Sequence, residues 1–253
     1  SMTTYACNPV INITLMLLIV IGGIGFVTWE DIKNNKYHFK RYKMQSKLII
    51  VTTAVLITVP AIIFMINDMM TGSERMPIFK ALFQSVTFNT VDLNAMKQAS
   101  VMIMIILMLI GGSPGSTAGG MKTTTFAVLM GNMVATFKRN KNIHFFERRI
   151  DNDTVKNAAT IAMMYITLFV TGAFIINVTD GISLGKCLFE TASAVGTVGL
   201  TLGITPQLGI LSRIVLIILM FMGRVGGLTL IYAAFSRNGN SYSKFPEEKI
   251  NIG

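Results

Sequence analysis

The chain has 253 residues, of which 52% are hydrophobic and only 13% charged, with a mean hydropathy of +0.59 and a formal net charge of +10. Soluble domains carry about 25% charged residues, so this composition excludes an ordinary soluble enzyme or carrier and indicates an integral membrane protein. The basic residues lie in short polar stretches between apolar runs, at 33–47, 138–149 and after Ser236. That is a positive-inside distribution; a nucleic-acid surface would interleave aromatic platforms with its cations.

Taken in order, residues 10–27 are the first membrane segment, closing on Ile21-Gly22-Gly23-Ile24-Gly25 with Trp29 as an interfacial anchor. Residues 46–66 return outward, and Pro60 is predicted to kink that helix. Residues 76–87 are amphipathic and too short to span, since a span takes about 20 residues; they read as a re-entrant half-helix. A long apolar stretch, 97–137, ends in a second basic loop. Residues 157–178 go outward, 183–194 form a second half-helix, and 209–235 return inward, leaving the tail to Gly253 cytoplasmic. Few basic residues fall outside on this topology: Arg75, Lys80, Lys97, Lys186 and Arg213.

The stretch that organises the chain divides 97–137: Gly111-Gly112-Ser113-Pro114-Gly115-Ser116-Thr117-Ala118-Gly119-Gly120. Half of it is glycine and Pro114 has no backbone donor, so a regular helix through it is costly. Irregular backbone at membrane depth is tolerated only where it is packed in protein or lines a wet cavity. A broken transmembrane helix beside a polar pathway is expected; the competing reading is a glycine-rich packing face between helices. Gly115 to Gly120 has phosphate-loop spacing, with Lys122-Thr123 following, but Met121 is one residue too many and no strand precedes the loop. Two cysteines, Cys7 and Cys187, are too few for a disulfide framework, and His38 and His144 have no metal-site spacing. The first apolar run lacks the features of a cleavable signal, and the start Ser1-Met2 reads as that of a piece of a longer chain.

The pattern helix, half-helix, loop, helix occurs twice, and the repeats are visible as letters. Lys80-Ala81-Leu82-Phe83-Gln84-Ser85 matches Lys186-Cys187-Leu188-Phe189-Glu190-Thr191, and Leu107-Met108-Leu109-Ile110-Gly111-Gly112 matches Leu219-Met220-Phe221-Met222-Gly223-Arg224. Ile21-Gly22-Gly23 is a third copy of the last element. Parallel repeats about a membrane-normal axis place a pathway at their centre. The second half-helix runs into Gly196-Thr197-Val198-Gly199-Leu200-Thr201. A short helix followed by Thr-Val-Gly is the layout of a pore loop whose carbonyls replace a potassium ion's water shell.

With these residues the chain resembles the membrane subunit of Ktr-type potassium uptake systems, in the Trk/Ktr/HKT superfamily. The markers are Ile21-Gly22-Gly23-Ile24-Gly25-Phe26, the glycine stretch, residues 189–200, Met222-Gly223-Arg224-Val225-Gly226 and the tail from Pro246-Glu247-Glu248-Lys249-Ile250. The resemblance implies an all-α integral membrane protein of repeated helix–pore-loop–helix units, potassium-channel-like and pseudo-four-fold when complete. It implies a homodimer in a bacterial cell membrane, with a cytosolic RCK-type regulatory ring that holds any nucleotide, no cofactor in this chain, and K+ as the transported ion with Na+ dependence in some members. Residues 1–45 would then be the closing helix of an incomplete second unit with its cytoplasmic loop, 46–150 the third unit and 151–253 the fourth unit with its tail. Thr197, Val198, Gly199 and Leu200 would supply filter carbonyls. The loop Gly111–Gly120 would be a gate beneath them, with Arg224 either completing that gate or pairing with helix carbonyls as structural glue. Lys122 is expected to snorkel to the inner surface, and Glu190 to orient the half-helix or attract cations.

Two departures accompany the resemblance. The first unit and most of the second are absent. Phe83 and Gly111 are 28 positions apart where Phe189 and Gly223 are 34 apart, and Ser85-Val86-Thr87-Phe88-Asn89-Thr90 contains no filter glycine. The alternative is therefore a truncated, non-conducting membrane scaffold of such a transporter. A membrane enzyme has no support, because no acid–base pair, nucleophile–histidine arrangement or metal ligands lie in the spans.

Overall fold

The computed structural model describes residues 8–36, 38–69, 78–87, 98–140 and 142–226. The first helix, α1 (Pro9–Ile24), starts where Asn8 accepts hydrogen bonds from the N–H groups of Val10 (3.1 Å) and Ile11 (3.3 Å), with proline in the first turn. It ends at Gly25, whose φ of 84° only glycine adopts readily, and the chain turns by 95° into α2 (Phe26–Asn35). A side chain at Gly25 would lie 2.5 Å from the carbonyl oxygen of Pro114. The single segment expected over 10–27 is thus two helices, because the corner must clear the glycine loop. Trp29, expected as a membrane anchor, donates from Nε1 to the Ile21 carbonyl (2.9 Å) and closes that corner.

Helix α3 (Met44–Met69) runs unbroken through Pro60, and α7 (Asn152–Asp180) ends at Gly181, whose N–H bonds to the Asn177 carbonyl at 3.0 Å. Among the described residues these two are long and apolar enough to cross a membrane alone, and the bent pair α1–α2 forms a third candidate. The stretch expected as one divided span is α5 (Gln98–Leu109), the loop, then α6 (Thr123–Phe137), each half too short to cross alone. The half-helices are α4 (Ile78–Thr87) and α8 (Leu184–Gly196), and α9 (Ile210–Val225) is the final described helix. A small hairpin, β1 (His144–Phe145) with β2 (Arg148–Arg149), follows α6. The remainder of 209–235, the tail and positions 88–90 lie outside the described residues.

Two units emerge, α3–α4–α5 and α7–α8–α9, and they pack by one rule. Each half-helix lies against the long helix before it and against the closing helix of the preceding unit: α4 on α3 and α1, α8 on α7 and α5. The repeat-related Phe83 and Phe189 are both fully buried. Helix α8 sits at the centre, joining one apolar cluster (Ile176, Val195, Leu216, Leu219) to another (Phe64, Met104, Met108, Phe189). Its contact with α9 is as close as backbones allow, since a side chain at Gly223 would stand 2.0 Å from the Val195 carbonyl oxygen. Outward faces are apolar, for example Leu18, Phe174, Ile210 and Phe221, as a lipid-facing surface requires.

Candidate functional site

Where α8 ends, the backbone unwinds into a strand of irregular chain, 197–201, outside any β-sheet, that is tied back to the helix it leaves. Thr197 caps α8 in the left-handed region (φ 52°), and its N–H reaches the Ala194 carbonyl at 3.1 Å. A β-branched residue there is an outlier that surrounding contacts must hold. The Val198 N–H donates to the Ser193 carbonyl (2.9 Å) and the Leu200 N–H to the Ser193 hydroxyl (2.8 Å). Between them Gly199 takes φ 81°. The bonds that fix this strand therefore engage its N–H groups.

The glycine loop is not slack. Its base is closed by a parallel bridge between Ile110 and Met121, with Gly111 N–H on the Met121 carbonyl (2.7 Å), Met121 N–H on Leu109 (3.2 Å) and Thr123 N–H on Gly112 (3.2 Å). Three other elements then hold it. At the α1–α2 corner, the N–H (2.9 Å) and hydroxyl of Ser113 both donate to the Gly23 carbonyl, and the Phe26 N–H donates to Gly115 (3.4 Å). At α9, the Gly223 carbonyl accepts from the Gly120 N–H (3.1 Å), and Arg224 Nη1 donates to the Thr117 carbonyl. At α8, the Thr197 hydroxyl accepts from the Gly119 N–H (3.1 Å). These bonds satisfy the backbone groups that a broken helix frees in an apolar setting. Half-buried Lys122 donates from Nζ to the Ala118 carbonyl (2.6 Å).

A cavity of about 550 Å³ lies between these parts. Thr197, Val198 and Leu200 line it from the strand, Gly111, Gly112, Thr117 and Ala118 from the loop, with Gly22, Gly23 and Thr87 from α1 and α4. Gly199 lies apart from it, beside a second cavity of about 310 Å³ between α8, the strand and α9. Pro114 and Gly115 turn toward α2, and Ser113 is fully buried at the corner. Two participants lie within marked stretches but were given no role from the sequence, the Gly23 carbonyl and Ser193. The signal for Ser193 was its place one turn after Glu190 on an amphipathic half-helix. Glu190 itself is buried and accepts hydroxyl hydrogen bonds from Thr201 and Thr205 (2.6 Å for the latter).

Repeated helix, half-helix, helix units around a strand and a re-entrant loop define a helical membrane transporter fold. The chain belongs to the TrkH family, described as cation transport protein, which matches residues 1–243. It is 34% identical to the potassium/sodium uptake protein NtpJ of Enterococcus hirae, over 97% of this chain and 58% of that protein. It is 31% identical to the Ktr system potassium uptake protein B of Vibrio alginolyticus and 29% identical to that of Bacillus subtilis, in each case over 100% of this chain and 58% and 59% of the relative. The chain thus spans under two thirds of the length of these relatives. Among solved structures it superposes on the potassium transporter TrkH of Vibrio parahaemolyticus with a TM-score of 0.69 and 20% identity, over 90% of this chain and 52% of that one, a likeness of fold.

Proposed function

We propose that this chain is the channel-like membrane subunit of a potassium uptake system, with Thr197, Val198, Gly199 and Leu200 as filter and the loop 111–120 with Arg224 as gate. The observation that carries this reading is the shared cavity, which has Thr197 and Val198 on one side and Gly111, Gly112, Thr117 and Ala118 on the other. An ion leaving the strand would meet the loop next. The loop is tethered by one to three hydrogen bonds to each of three separate elements, the construction expected of a part that detaches as a unit. Two cationic side chains, Lys122 and Arg224, donate to its carbonyls and oppose cation passage while the loop is in place.

The relatives' names support potassium as cargo, and that of the Enterococcus hirae protein supports a role for sodium. A homodimer in a bacterial cell membrane, cytoplasmic C-terminus, docked on an RCK-type ring that carries the nucleotide, completes the proposal, as does the division at 45 and 150. Deleting residues 113–119 tests the gate. Rubidium flux into vesicles, normalised to folded protein, should rise; flux at or below the parent's, with assembly intact, refutes it. The scaffold reading is favoured by the six-residue shortfall between Phe83 and Gly111. It predicts no flux from the purified chain at an intact mass of 27.7 kDa.

A further inference from the structure

Glu190 is the acidic residue of α8, and it lies in the middle of that helix, short of where the strand begins at Thr197. Its side chain is 4% exposed. Oε1 accepts from the hydroxyls of both Thr201 and Thr205, the second at 2.6 Å. Each hydroxyl has one proton, and with both given to Oε1 the 2.8 Å approach of Thr205 Oγ1 to Thr201 Oγ1 is a close contact and not a third bond, while Thr201 Oγ1 also accepts from the Gly203 N–H at 2.9 Å. One turn further along α8, on the same face, Ser193 takes the N–H groups of Val198 and Leu200. The half-helix therefore presents a row of acceptors, Ser193 and Glu190, that staples the strand at 198, 200 and 201.

These bonds border the cavity of about 310 Å³ that lies behind the strand, lined by Glu190, Ser193, Thr197, Thr201 and Thr205 together with apolar Leu216 and Met220 of α9. Leu200 packs against the apolar cluster that includes Met104 and Phe189, but on the side of this cavity the strand has no packed neighbour, and there its position depends on the polar bonds. A buried carboxylate is tolerated when its lone pairs are occupied, and hydroxyl donors to a charged acceptor are the stronger sort. We propose that Glu190 is a positioning residue for ion selection: by clamping Thr201 and Thr205 it fixes the outer end of strand 197–201 and so the spacing of its carbonyls. This rests on reading that strand as the filter. What the clamp needs is an acceptor and not a charge, since an amide oxygen accepts as a carboxylate does; the matching place of α4 holds Gln84, also buried, whose amide donates to the Met104 sulfur.

The test compares the full chain with Glu190→Gln, Glu190→Ala and Thr201→Val in vesicles, reading the ratio of sodium to potassium permeation at equal amounts of folded protein. Glu190→Ala should raise that ratio about tenfold, the scale of one lost hydrogen bond to a charged group. Glu190→Gln should stay within about twofold of the parent, since its amide oxygen keeps the acceptor. A purely structural role would lower folded yield and leave the ratio unmoved. Folded Glu190→Ala with the parent's ratio overturns the proposal, and Glu190→Gln as unselective as Glu190→Ala overturns the acceptor account. If Glu190→Ala does not fold, Thr201→Val carries the test: it must raise the ratio, and an unchanged ratio refutes the clamp. Gly199→Ser separates the two layers. A ratio that moves with Gly199→Ser but not with Glu190→Ala sinks the clamp alone; one that moves with neither sinks the filter reading and the clamp with it.

Discussion

Arg224→Ala is the perturbation that weighs one tether of the loop against the rest. Arg224 reaches the Thr117 carbonyl across 107 positions of chain, from the last turn of α9. A hydrogen bond from a charged donor contributes about 1.5–3 kcal/mol. Arg224 is exposed, so water replaces part of what is lost, and about 1–1.5 kcal/mol is the reasonable share. Because 1.4 kcal/mol is a factor of ten, the open-to-closed ratio of the loop should rise about five- to tenfold. Rubidium uptake into vesicles, at equal folded protein, reads this directly. The Ser113, Gly119 and Gly120 bonds remain in the variant, so flux should stay well below that of the loop deletion. Arg224→Gln divides bond from charge: an amide can still donate to Thr117, so an intermediate flux assigns the effect to the bond, and a flux equal to Arg224→Ala assigns it to the charge. Parent-level flux in folded Arg224→Ala would refute the tether.

Gly223→Ala places a methyl 2.0 Å from the Val195 carbonyl oxygen, backbone that cannot step aside; overpacking of this kind costs about 1–3 kcal/mol, and a lowered thermal unfolding temperature in detergent should show it. At the α2–α3 joint, burial pushes the Asp31 carboxyl up, but the nearby Ser46 hydroxyl, the Lys43 N–H at 2.7 Å and the charge of Lys43 outweigh it, so its pKa lies below the ordinary 3.8. A carboxylate depressed on folding stabilises the protein fully above its unfolded pKa and loses that contribution as pH falls below it. The stability gap between parent and Asp31→Asn, read by thermal unfolding, should therefore be present at pH 7 and shrink as pH drops through 3.8.

The half-helices, the break and the strand were legible in the sequence because each has a compositional mark: short amphipathic runs, a proline among five glycines, Thr-Val-Gly. Helix limits were less so. Residues 157–178 became Asn152–Asp180 because the apolar pattern ignores polar end turns, whereas the structural stop is Gly181 in the left-handed region. The corner at Gly25 was hidden because Gly22, Gly23 and Gly25 look alike as letters; which one bends is decided by the Pro114 carbonyl, 89 positions away. The tethers of the loop were invisible for a deeper reason. Most are backbone groups, Gly23 and Gly223 carbonyls and Gly119 and Gly120 amides, and a backbone donor or acceptor has no letter of its own. The bond of Lys122 to Ala118 was likewise hidden, because only a broken helix supplies a free carbonyl within its reach.

One bond joins the strand to the loop, the Gly119 N–H on the Thr197 hydroxyl, and it lets the two proposed roles be pulled apart. Thr197→Val keeps the branched shape and deletes the acceptor. Gly119 is buried, but Thr197 itself lines the cavity, where water can take the place of its hydroxyl, so the net loss is that of an ordinary neutral bond, about 1 kcal/mol. That is about fivefold in the loop's open-to-closed ratio. The strand keeps the bonds that set its carbonyls, Val198 and Leu200 to Ser193 and Thr201 to Glu190. Thr197→Val should therefore raise flux several-fold and leave the sodium-to-potassium ratio near the parent's, while Glu190→Ala should move the ratio. Measuring both quantities on both variants makes the separation decisive. If Thr197→Val changes the ratio and not the flux, the hydroxyl serves the strand, and the loop is held without it. If the two quantities move together in both variants, strand and loop are one mechanical unit, and gate and filter cannot be assigned to different residues.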